Sequence, residues 1–470
     1  MLRTVVASLS LFSLGPACGG ATPPATTAPP PAVTPAPPPV VEAPPPTREE
    51  MIAAALARVP DIARAVATMR GLAVAEVPAA IQSPEAFRAF VESEAAASLE
   101  APGAVDPAIL SRALAAVGLL AVPTDLVDAS VEAAVTQAAA YYDPKSKHFQ
   151  VVVVPETDLE FDMVSAHELT HAIQDQHFDL QALMPATLSD DEANARRFLV
   201  EGEATVTMMA YLVAQAGKDA LAPGKTGVLQ RQIASFASLS SVEIGAMIGG
   251  DPAAMAAIAS LPPYVLTPMF DSYMKGALAV LAVYIGGGWP AVDALYATPP
   301  ASTEQMLHAS TKLVCRREAP VPVIVPATAA GKGWTSLADG VAGELGVSIY
   351  GQVWQLPTPA SLAAGWGGDR WRVFAKGDAT LALWSTAWDS EADAAEFAAG
   401  MRASLATRKV DGDVRHKGAW VDVAIGCAGK ACKAPLDAMA KAHGKASPIV
   451  APLTADEAAC VERLAPPATP

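Results

Sequence analysis

The sequence predicts a mainly α-helical α+β protein. Its hydrophobic content of 52%, much of it alanine, is typical of packed helices. Proline interrupts several segments of helical periodicity, whereas residues 149–154 and 379–388 are β-branched or alternating and predict strands. The net charge of −16 argues against nucleic acid and against anionic lipid surfaces as partners.

The N-terminal region has the pattern of a bacterial export signal, residues 1–18, with Arg3 as its positive part and an apolar stretch from Val5 to Leu14. Cys18 follows an imperfect lipobox, because the leucine lies one position too far from the cysteine. Residues 19–47 are rich in proline, alanine and threonine, which predicts an extended tether. We expect a lipid on Cys18 to anchor the chain in the cell envelope, at the outer membrane; a periplasmic or secreted protein is the alternative.

Several amphipathic helices are predicted over residues 48–142, separated by four prolines: Pro60, Pro84, Pro107 and Pro123. After the strand at 149–154, a helix is predicted over about 159–177. A second long helix is predicted over about 191–216, and further helices over 228–312.

A His-Glu-x-x-His motif lies on the first of these long helices, formed by His167, Glu168 and His171. Positions i and i+4 share a helix face, so both imidazoles can bind one metal ion, and Glu168 beside them can act as a base on water. Glu201 lies in the middle of the next apolar helix, where a carboxylate needs a partner such as zinc. Glu203 is the alternative third ligand; the two positions differ by about 200° around the helix, so only one can face the metal.

Residues 167–180 and 199–204 together resemble a group of largely uncharacterised secreted bacterial and archaeal proteins of the gluzincin type, which combine HExxH with a distant glutamate. The Glu-Gly-x-Ala block is also similar to that of zinc aminopeptidases, in which the glutamate binds zinc. The resemblance continues through residues 299–308, 365–370 and 388–397.

This resemblance implies a zincin-like metallopeptidase domain with an active-site helix and a short bordering sheet, in which the strand at 149–154 pairs with an extended substrate. It also implies one Zn2+ ion, Glu168 as the catalytic base and three metal ligands: His167, His171 and Glu201. Thermolysin-like enzymes carry an aspartate four residues after the ligand glutamate, but here that residue is Thr205. Asp175 is therefore our first candidate for the carboxylate that supports a ligand histidine.

His308 is the candidate donor to the oxyanion of a tetrahedral intermediate, because it follows a predicted turn and helix cap. An ordinary core histidine is the alternative interpretation of this residue. Tyr264 and Tyr273 are rival donors.

The C-terminal part is predicted to be a separate small α+β domain, residues 334–465, which follows a Pro-, Ala- and Gly-rich boundary at 319–333. The helical metallopeptidase domain would span residues 48–318. Four cysteines follow the zinc motif, and an exported chain favours disulfides over a second zinc site. We expect the pairs Cys427–Cys432 and Cys315–Cys460 among the three possible connectivities.

Together these features predict a lipid-anchored, extracytoplasmic zinc metallopeptidase that hydrolyses peptide bonds in a protein or peptide, with endopeptidase activity favoured. The alternative is a zinc-binding but catalytically inactive surface lipoprotein that acts as a binding module. The sequence leaves open the substrate, the oligomeric state and the role of residues 48–142.

Overall fold

The computed structural model describes residues 47–101, 103–154, 157–239, 256, 258–444 and 447–465. The predicted export signal, Cys18 and nearly all of the predicted tether lie outside the described residues. The described part is mainly helical with two small sheets, as the sequence predicts.

The helices in the described residues are α1 (Arg48–Arg70), α2 (Pro84–Leu99), α3 (Pro107–Val117), α4 (Leu126–Gln137), α5 (Asp158–Phe178), α6 (Leu180–Leu183), α7 (Asp190–Gln215), α8 (Gly227–Ala237), α9 (Pro263–Ala297), α10 (Thr303–Leu307), α11 (Gly343–Val353), α12 (Pro359–Ala363), α13 (Glu391–Arg408), α14 (Lys430–Ala442) and α15 (Ala455–Leu464). A π-helical turn spans Ser310–Cys315. The strands are β1 (Ala79–Ile81), β2 (Ala140–Asp143), β3 (His148–Val151), β4 (Thr335–Gly340), β5 (Trp366–Lys376), β6 (Ala379–Trp388), β7 (Gly412–Lys417) and β8 (Trp420–Ile425).

Local sequence signals set the ends of the two long helices that carry the motif residues. Thr157 and Glu160 form a capping box at the start of α5, and Ser189 and Glu192 form another at the start of α7. In each box the hydroxyl and the carboxylate satisfy backbone N–H groups that a helix start leaves unpaired. The two helices therefore begin within a residue of the predicted positions.

Pro60 does not separate two helices, contrary to prediction, because α1 continues through it. Pro60 is exposed, whereas Val59 and Ile62 on either side are buried in the core. Packing of this apolar face outweighs the helix-breaking tendency of one exposed proline. Pro84 and Pro107 do start new helices, at the first helical position that tolerates proline.

A three-stranded sheet lies beside α5, in the order β1-β3-β2. Strand β3 pairs with β1 on one side and with β2 on the other. Only residues 149–151 of the predicted strand at 149–154 lie in the central strand β3, which has no free edge for an extended substrate, so that expectation is wrong. Strand β2 packs against α5 instead. Strand β1 and all but the last residue of β2 fall within 48–142, where only helices were predicted.

Helices α7 and α9 cross very closely at two glycines. A methyl group on Gly202 would lie 2.2 Å from the backbone carbon of Gly276, and one on Gly276 would lie 2.4 Å from the Phe198 carbonyl oxygen. Only glycine at both positions allows this approach. Helix α9 is also long and apolar enough to cross a membrane by length and composition, but it packs against α7 and α8 and is kinked at Gly287 and Gly288.

The C-terminal part contains an antiparallel five-stranded sheet, in the order β4-β5-β6-β8-β7, with α13 and α14 packed against it. One hydrophobic cluster includes Leu114 and Phe198 of the helical part together with Trp371 and Trp384 of the sheet. The predicted boundary at 319–333 therefore does not separate two independent cores, and the division into two domains stays a prediction.

Both predicted disulfides are present, Cys315–Cys460 and Cys427–Cys432. The first joins the π-helical turn to α15, and the second closes a short loop at the start of α14. Two disulfides indicate an oxidising, extracytoplasmic location.

Gly202→Ala is expected to lower the free energy of unfolding by about 1–3 kcal/mol, because the added methyl group forces α7 away from the backbone of α9. Gly400→Ala in α13 is the matched control: its methyl group would meet only side-chain carbons of Leu362 and Leu356, which can move. Urea unfolding followed by circular dichroism measures both variants. Equal effects of the two substitutions would contradict the close helix crossing.

Candidate metal centre

Three buried side chains from α5 and α7 converge on one point. His167 Nε2 lies 3.2 Å from Glu201 Oε2 and 3.1 Å from His171 Nε2, and His171 Nε2 lies 3.5 Å from Glu201 Oε2. A tetrahedral metal with bonds of roughly 2.0–2.1 Å places its ligand atoms roughly 3.3 Å from one another. The spacing of the three atoms thus fits one metal ion at their centre, and these three residues form a candidate metal site.

The protonation of His167 and Glu201 suits a cation, whereas the pKa of His171 is raised because the neighbouring Glu201 carboxylate outweighs burial. Burial lowers the pKa of His167, which favours the neutral imidazole that a metal requires. Burial alone would raise the pKa of Glu201, but the imidazoles of His171 and His167 outweigh this effect and lower it to about 2, so Glu201 is a carboxylate. Two imidazole nitrogens and a carboxylate oxygen facing one another in the interior are the donor set of catalytic zinc sites.

Glu168 lies between the two histidines in sequence and is fully buried. Its Oε2 atom accepts a hydrogen bond of 2.9 Å from the backbone N–H of Tyr142, which belongs to strand β2. The hydrogen bond from the bordering sheet to the motif glutamate therefore comes from β2, while the apolar side chains of β3 pack against the same helix. This contact holds the carboxylate of Glu168 in a fixed position on α5.

A hydrogen-bonded chain orients His171 from behind. The Nδ1 atom of His171 contacts Gln174 Oε1 at 2.7 Å, which leaves Nε2 with a lone pair for a metal. The Gln174 amide donates to the Val200 carbonyl at 3.0 Å and to the Tyr296 hydroxyl at 2.9 Å. Tyr296 in turn donates to Glu203 Oε2 at 2.7 Å. The orientation of His171 is therefore supported by an amide, that of Gln174, and by a phenol, that of Tyr296.

The expectation that Asp175 supports a ligand histidine is wrong. The Asp175 carboxylate accepts hydrogen bonds from the Tyr142 hydroxyl at 2.8 Å and from Lys147 Nζ at 2.7 Å. It also accepts from the backbone N–H of Leu180. Asp175 thus ties α5 to the loop after β2, while Gln174, one residue earlier, faces His171.

Glu203 points away from the candidate metal site, because it lies about 200° around the helix from Glu201. Its Oε1 atom accepts a hydrogen bond of 2.6 Å from Arg70 Nε, and both side chains are fully buried. Arg70 also contacts Asp293 at 2.6 Å and lies 4.1 Å from the centre of the Trp289 ring. The structure thus brings Glu201, and not Glu203, to the two imidazoles.

His308 lies at the end of α10, where its Nε2 atom contacts Glu344 Oε1 at 2.8 Å. Its neighbouring charges are Glu344, Glu304 and Lys312, and it does not line the cavity that reaches Glu201. The structure therefore does not place His308 with the triad. The rival donors Tyr264 and Tyr273 do line that cavity, and the Tyr273 ring centre lies 5.6 Å from that of His167.

The sequence analysis missed Arg197, which lines the same cavity as Glu201. A signal was available, because Arg197 precedes Glu201 by one helical turn on α7 and so shares its face. Asp190, two turns before Arg197 on the same face, also lines the cavity and accepts a hydrogen bond of 3.0 Å from the Tyr264 hydroxyl.

Comparison with known protein families gives a match to one segment of the chain. A protein-family profile described as "Domain of unknown function (DUF8575)" matches residues 301–433. This segment contains His308 and the five-stranded sheet but none of the three triad residues. No curated protein and no solved structure shows significant similarity to the chain. The gluzincin resemblance thus stays a prediction, supported in the structure by the buried triad.

Glu201→Gln and Glu203→Gln are expected to fail in different ways. The first should weaken metal binding strongly, because a neutral amide replaces the carboxylate that faces the two imidazoles. The second should keep the metal but lower the stability of the metal-free protein by about 3–5 kcal/mol, because Arg70 loses its buried partner. Metal content after dialysis and urea unfolding distinguish the two. The reverse pattern would move the third ligand to Glu203.

Gln174→Leu is expected to weaken metal binding by about 10- to 100-fold, because His171 loses the acceptor that orients its ring. Asp175→Asn is the matched control on the adjacent position and should change metal affinity much less. Titration against a chromogenic chelator measures both affinities. A larger effect of Asp175→Asn would return the supporting role to that carboxylate.

Proposed function

We propose that the protein is a zinc-dependent peptidase of the cell envelope. The observation that carries this proposal is the buried convergence of His167, His171 and Glu201, with Glu168 fixed beside them on the same helix. Two imidazoles and one carboxylate leave a further position open for water or substrate, which is the arrangement of catalytic rather than structural zinc sites.

Zinc is the metal that this donor set favours. Nitrogen donors argue against magnesium and calcium, which prefer oxygen, and the three ligand atoms have tetrahedral spacing. A zinc ion held there would supply Lewis-acid activation of a water molecule and of the scissile carbonyl. Elemental analysis of the purified protein should find close to one zinc per chain, and loss of the metal in His167→Ala would support the ligand set.

Glu168 is the residue of this chain that moves a proton in the proposed reaction. Its carboxylate takes one proton from water as the new C–O bond forms to the scissile carbonyl carbon. The amide C–N bond then breaks, and Glu168 passes the proton to the leaving amine. The hydrogen bond from the backbone N–H of Tyr142 to Oε2 holds this carboxylate in place beside the two imidazoles.

A second candidate function is a zinc-binding protein without catalysis, which binds a partner. The observation in its favour is the burial of Glu168, whose exposed fraction is 0%. A catalytic base must contact the water molecule that it deprotonates. A fully buried carboxylate is less accessible to water than one in an open cleft. Zinc binding is common to both candidates, so only turnover discriminates between them.

We also propose that a lipid on Cys18 holds the folded part at the membrane, with residues 19–47 as a spacer. The two disulfides support the extracytoplasmic location. Metabolic labelling with a fatty-acid analogue should mark the native chain and not Cys18→Ser. An unlabelled native chain that is soluble after export would show that the protein is simply secreted.

Glu168→Gln should retain zinc and thermal stability but lose peptide hydrolysis, because the amide still accepts the Tyr142 hydrogen bond yet cannot take a proton from water. Loss of a general base is expected to lower turnover by about 100- to 10,000-fold. Single-turnover assays with a fluorogenic peptide library measure the rate. An active Glu168→Gln protein excludes the proposed role of this glutamate, and an inactive wild type with full zinc favours the binding protein.

A further inference from the structure

Arg197 occupies a special position relative to the candidate metal site. It precedes Glu201 by four residues on α7, so its side chain emerges from the same helix face roughly 6 Å away along the axis. Both residues line one cavity, together with Tyr273, whose ring is a neighbour of His167. A substrate group bound to Arg197 would therefore be separated from the metal ligands by about the length of one peptide residue.

The guanidinium of Arg197 has no hydrogen bond and no ion pair with any residue in the part of the chain that the structure describes. By contrast, Arg70 and Arg316 each pair with carboxylates. Burial lowers the pKa of Arg197, although Glu201, Tyr273 and Asp190 oppose this effect. A guanidinium carries five N–H donors and a permanent charge, so placing it in a low-polarity environment is costly unless an anion meets it there. The charges of Glu201 and Asp190 act on this guanidinium from a longer distance, but no carboxylate of the described residues forms an ion pair with it.

The rest of the cavity wall is mainly apolar. It is formed by α2, α3, α4, α9 and α11 and by strand β5, with Leu110, Leu126, Val265, Ile349 and Trp371 among its side chains. The cavity volume is about 160 Å³. An engineered apolar cavity of about this size in another protein takes up one benzene molecule. The volume therefore suits one apolar or aromatic side chain better than an extended peptide segment.

We propose that Arg197 binds the C-terminal carboxylate of a peptide whose last side chain is apolar and fills this cavity. The inference rests on the proposed peptidase function and makes the protein a carboxypeptidase, rather than the endopeptidase that the sequence favours.

Three features together select a C-terminal residue. An extended residue spans about 3.3 Å, so a scissile carbonyl at the triad places the terminal carboxylate within reach of a guanidinium one helical turn away. An acidic side chain of a substrate is the alternative anion for Arg197. It would pair with the guanidinium, but it would leave the apolar wall of the cavity without an apolar partner. A terminal residue with an apolar side chain satisfies both the charge and the wall.

The reaction would be the hydrolysis of the last peptide bond. The amide C–N bond breaks, a C–O bond forms from water, and one proton of that water reaches the leaving amine through Glu168. The products are a shortened peptide and one free amino acid. Arg197 positions the substrate and exchanges no proton.

The first experiment compares two matched substrates with the zinc-loaded protein: an N-acylated tripeptide that ends in phenylalanine, and the same tripeptide with a C-terminal amide. We expect the free acid to be hydrolysed on the order of 10- to 100-fold faster, as for a charge-assisted hydrogen bond. Equal rates for acid and amide overturn the inference while the proposed peptidase function stands. Hydrolysis of protein substrates but of neither tripeptide also overturns it.

The second experiment uses variants of the arginine. Arg197→Met should lose the preference for the free acid through a slower rate on the acid, and Arg197→Lys should retain part of it, since the charge remains without the planar fork. Arg196→Met is the matched control on the next position, because Arg196 donates to the Leu183 carbonyl and does not line the cavity. It should keep the wild-type ratio, even if its stability falls. Loss of the ratio in Arg196→Met alone would overturn the assignment.

A binding measurement separates this inference from the proposed function. Isothermal titration calorimetry of the metal-free protein with N-acetyl-phenylalanine and with N-acetyl-phenylalaninamide reports the carboxylate site without turnover. Preferential binding of the acid by the wild type, and not by Arg197→Met, supports the site even if no peptide is hydrolysed. Equal binding of the acid and the amide by the wild type overturns it.

Discussion

The fully buried ion pair between Arg70 and Glu203 is the interaction on which the candidate site depends. It joins α1 to α7 in the interior, and Asp293 and Trp289 bring α9 to the same guanidinium. Neither charge is tolerable alone in this environment, so the three helices can come together only in the arrangement that pairs them. The two glycines at the crossing of α7 and α9 allow the close approach that this pairing requires.

The same carboxylate is also the far end of the chain that reaches His171. Glu203 accepts from Tyr296, Tyr296 accepts from Gln174, and Gln174 faces the Nδ1 atom of the imidazole. Burial, together with the nearby Glu203, raises the pKa of Tyr296 well above its ordinary value, so its hydroxyl stays a donor. Glu201 and Glu203 thus act on opposite faces of α7: one faces the metal position, and the other orients a ligand from a distance.

The sequence predicts those parts of the site that local helix geometry determines. The spacing of His167 and His171, and the expectation that only one of Glu201 and Glu203 can face the metal, follow from residues per turn, whereas the choice of Glu201 came from the Glu-Gly-x-Ala resemblance. The structure agrees with these expectations. The prediction that Asp175 supports a ligand histidine failed because its carboxylate accepts a hydrogen bond from Tyr142, which belongs to a strand of only four residues. So short a strand has little periodicity, and its pairing partner lies outside any local window.

The position of His308 also could not be predicted from local sequence. Its neighbour Glu344 lies 36 residues further along the chain, and no local pattern predicts that contact. Arg197, in contrast, could have been found from the sequence, because it lies one turn before Glu201 on a helix whose face was already assigned. Residues that share a helix with a motif are predictable, and residues that meet it through the tertiary fold are not.

The disulfide Cys315–Cys460 has a consequence for the order of events during export. Its two cysteines are 145 residues apart and enclose the entire five-stranded sheet. Closing a loop of that length removes so much freedom from the unfolded chain that the bond is worth roughly 5 kcal/mol in the chain-entropy account. The bond can form only after both cysteines have left the cytoplasm. The sheet packs on the helices that hold the triad, so the disulfide adds its stabilisation to a core that both parts share.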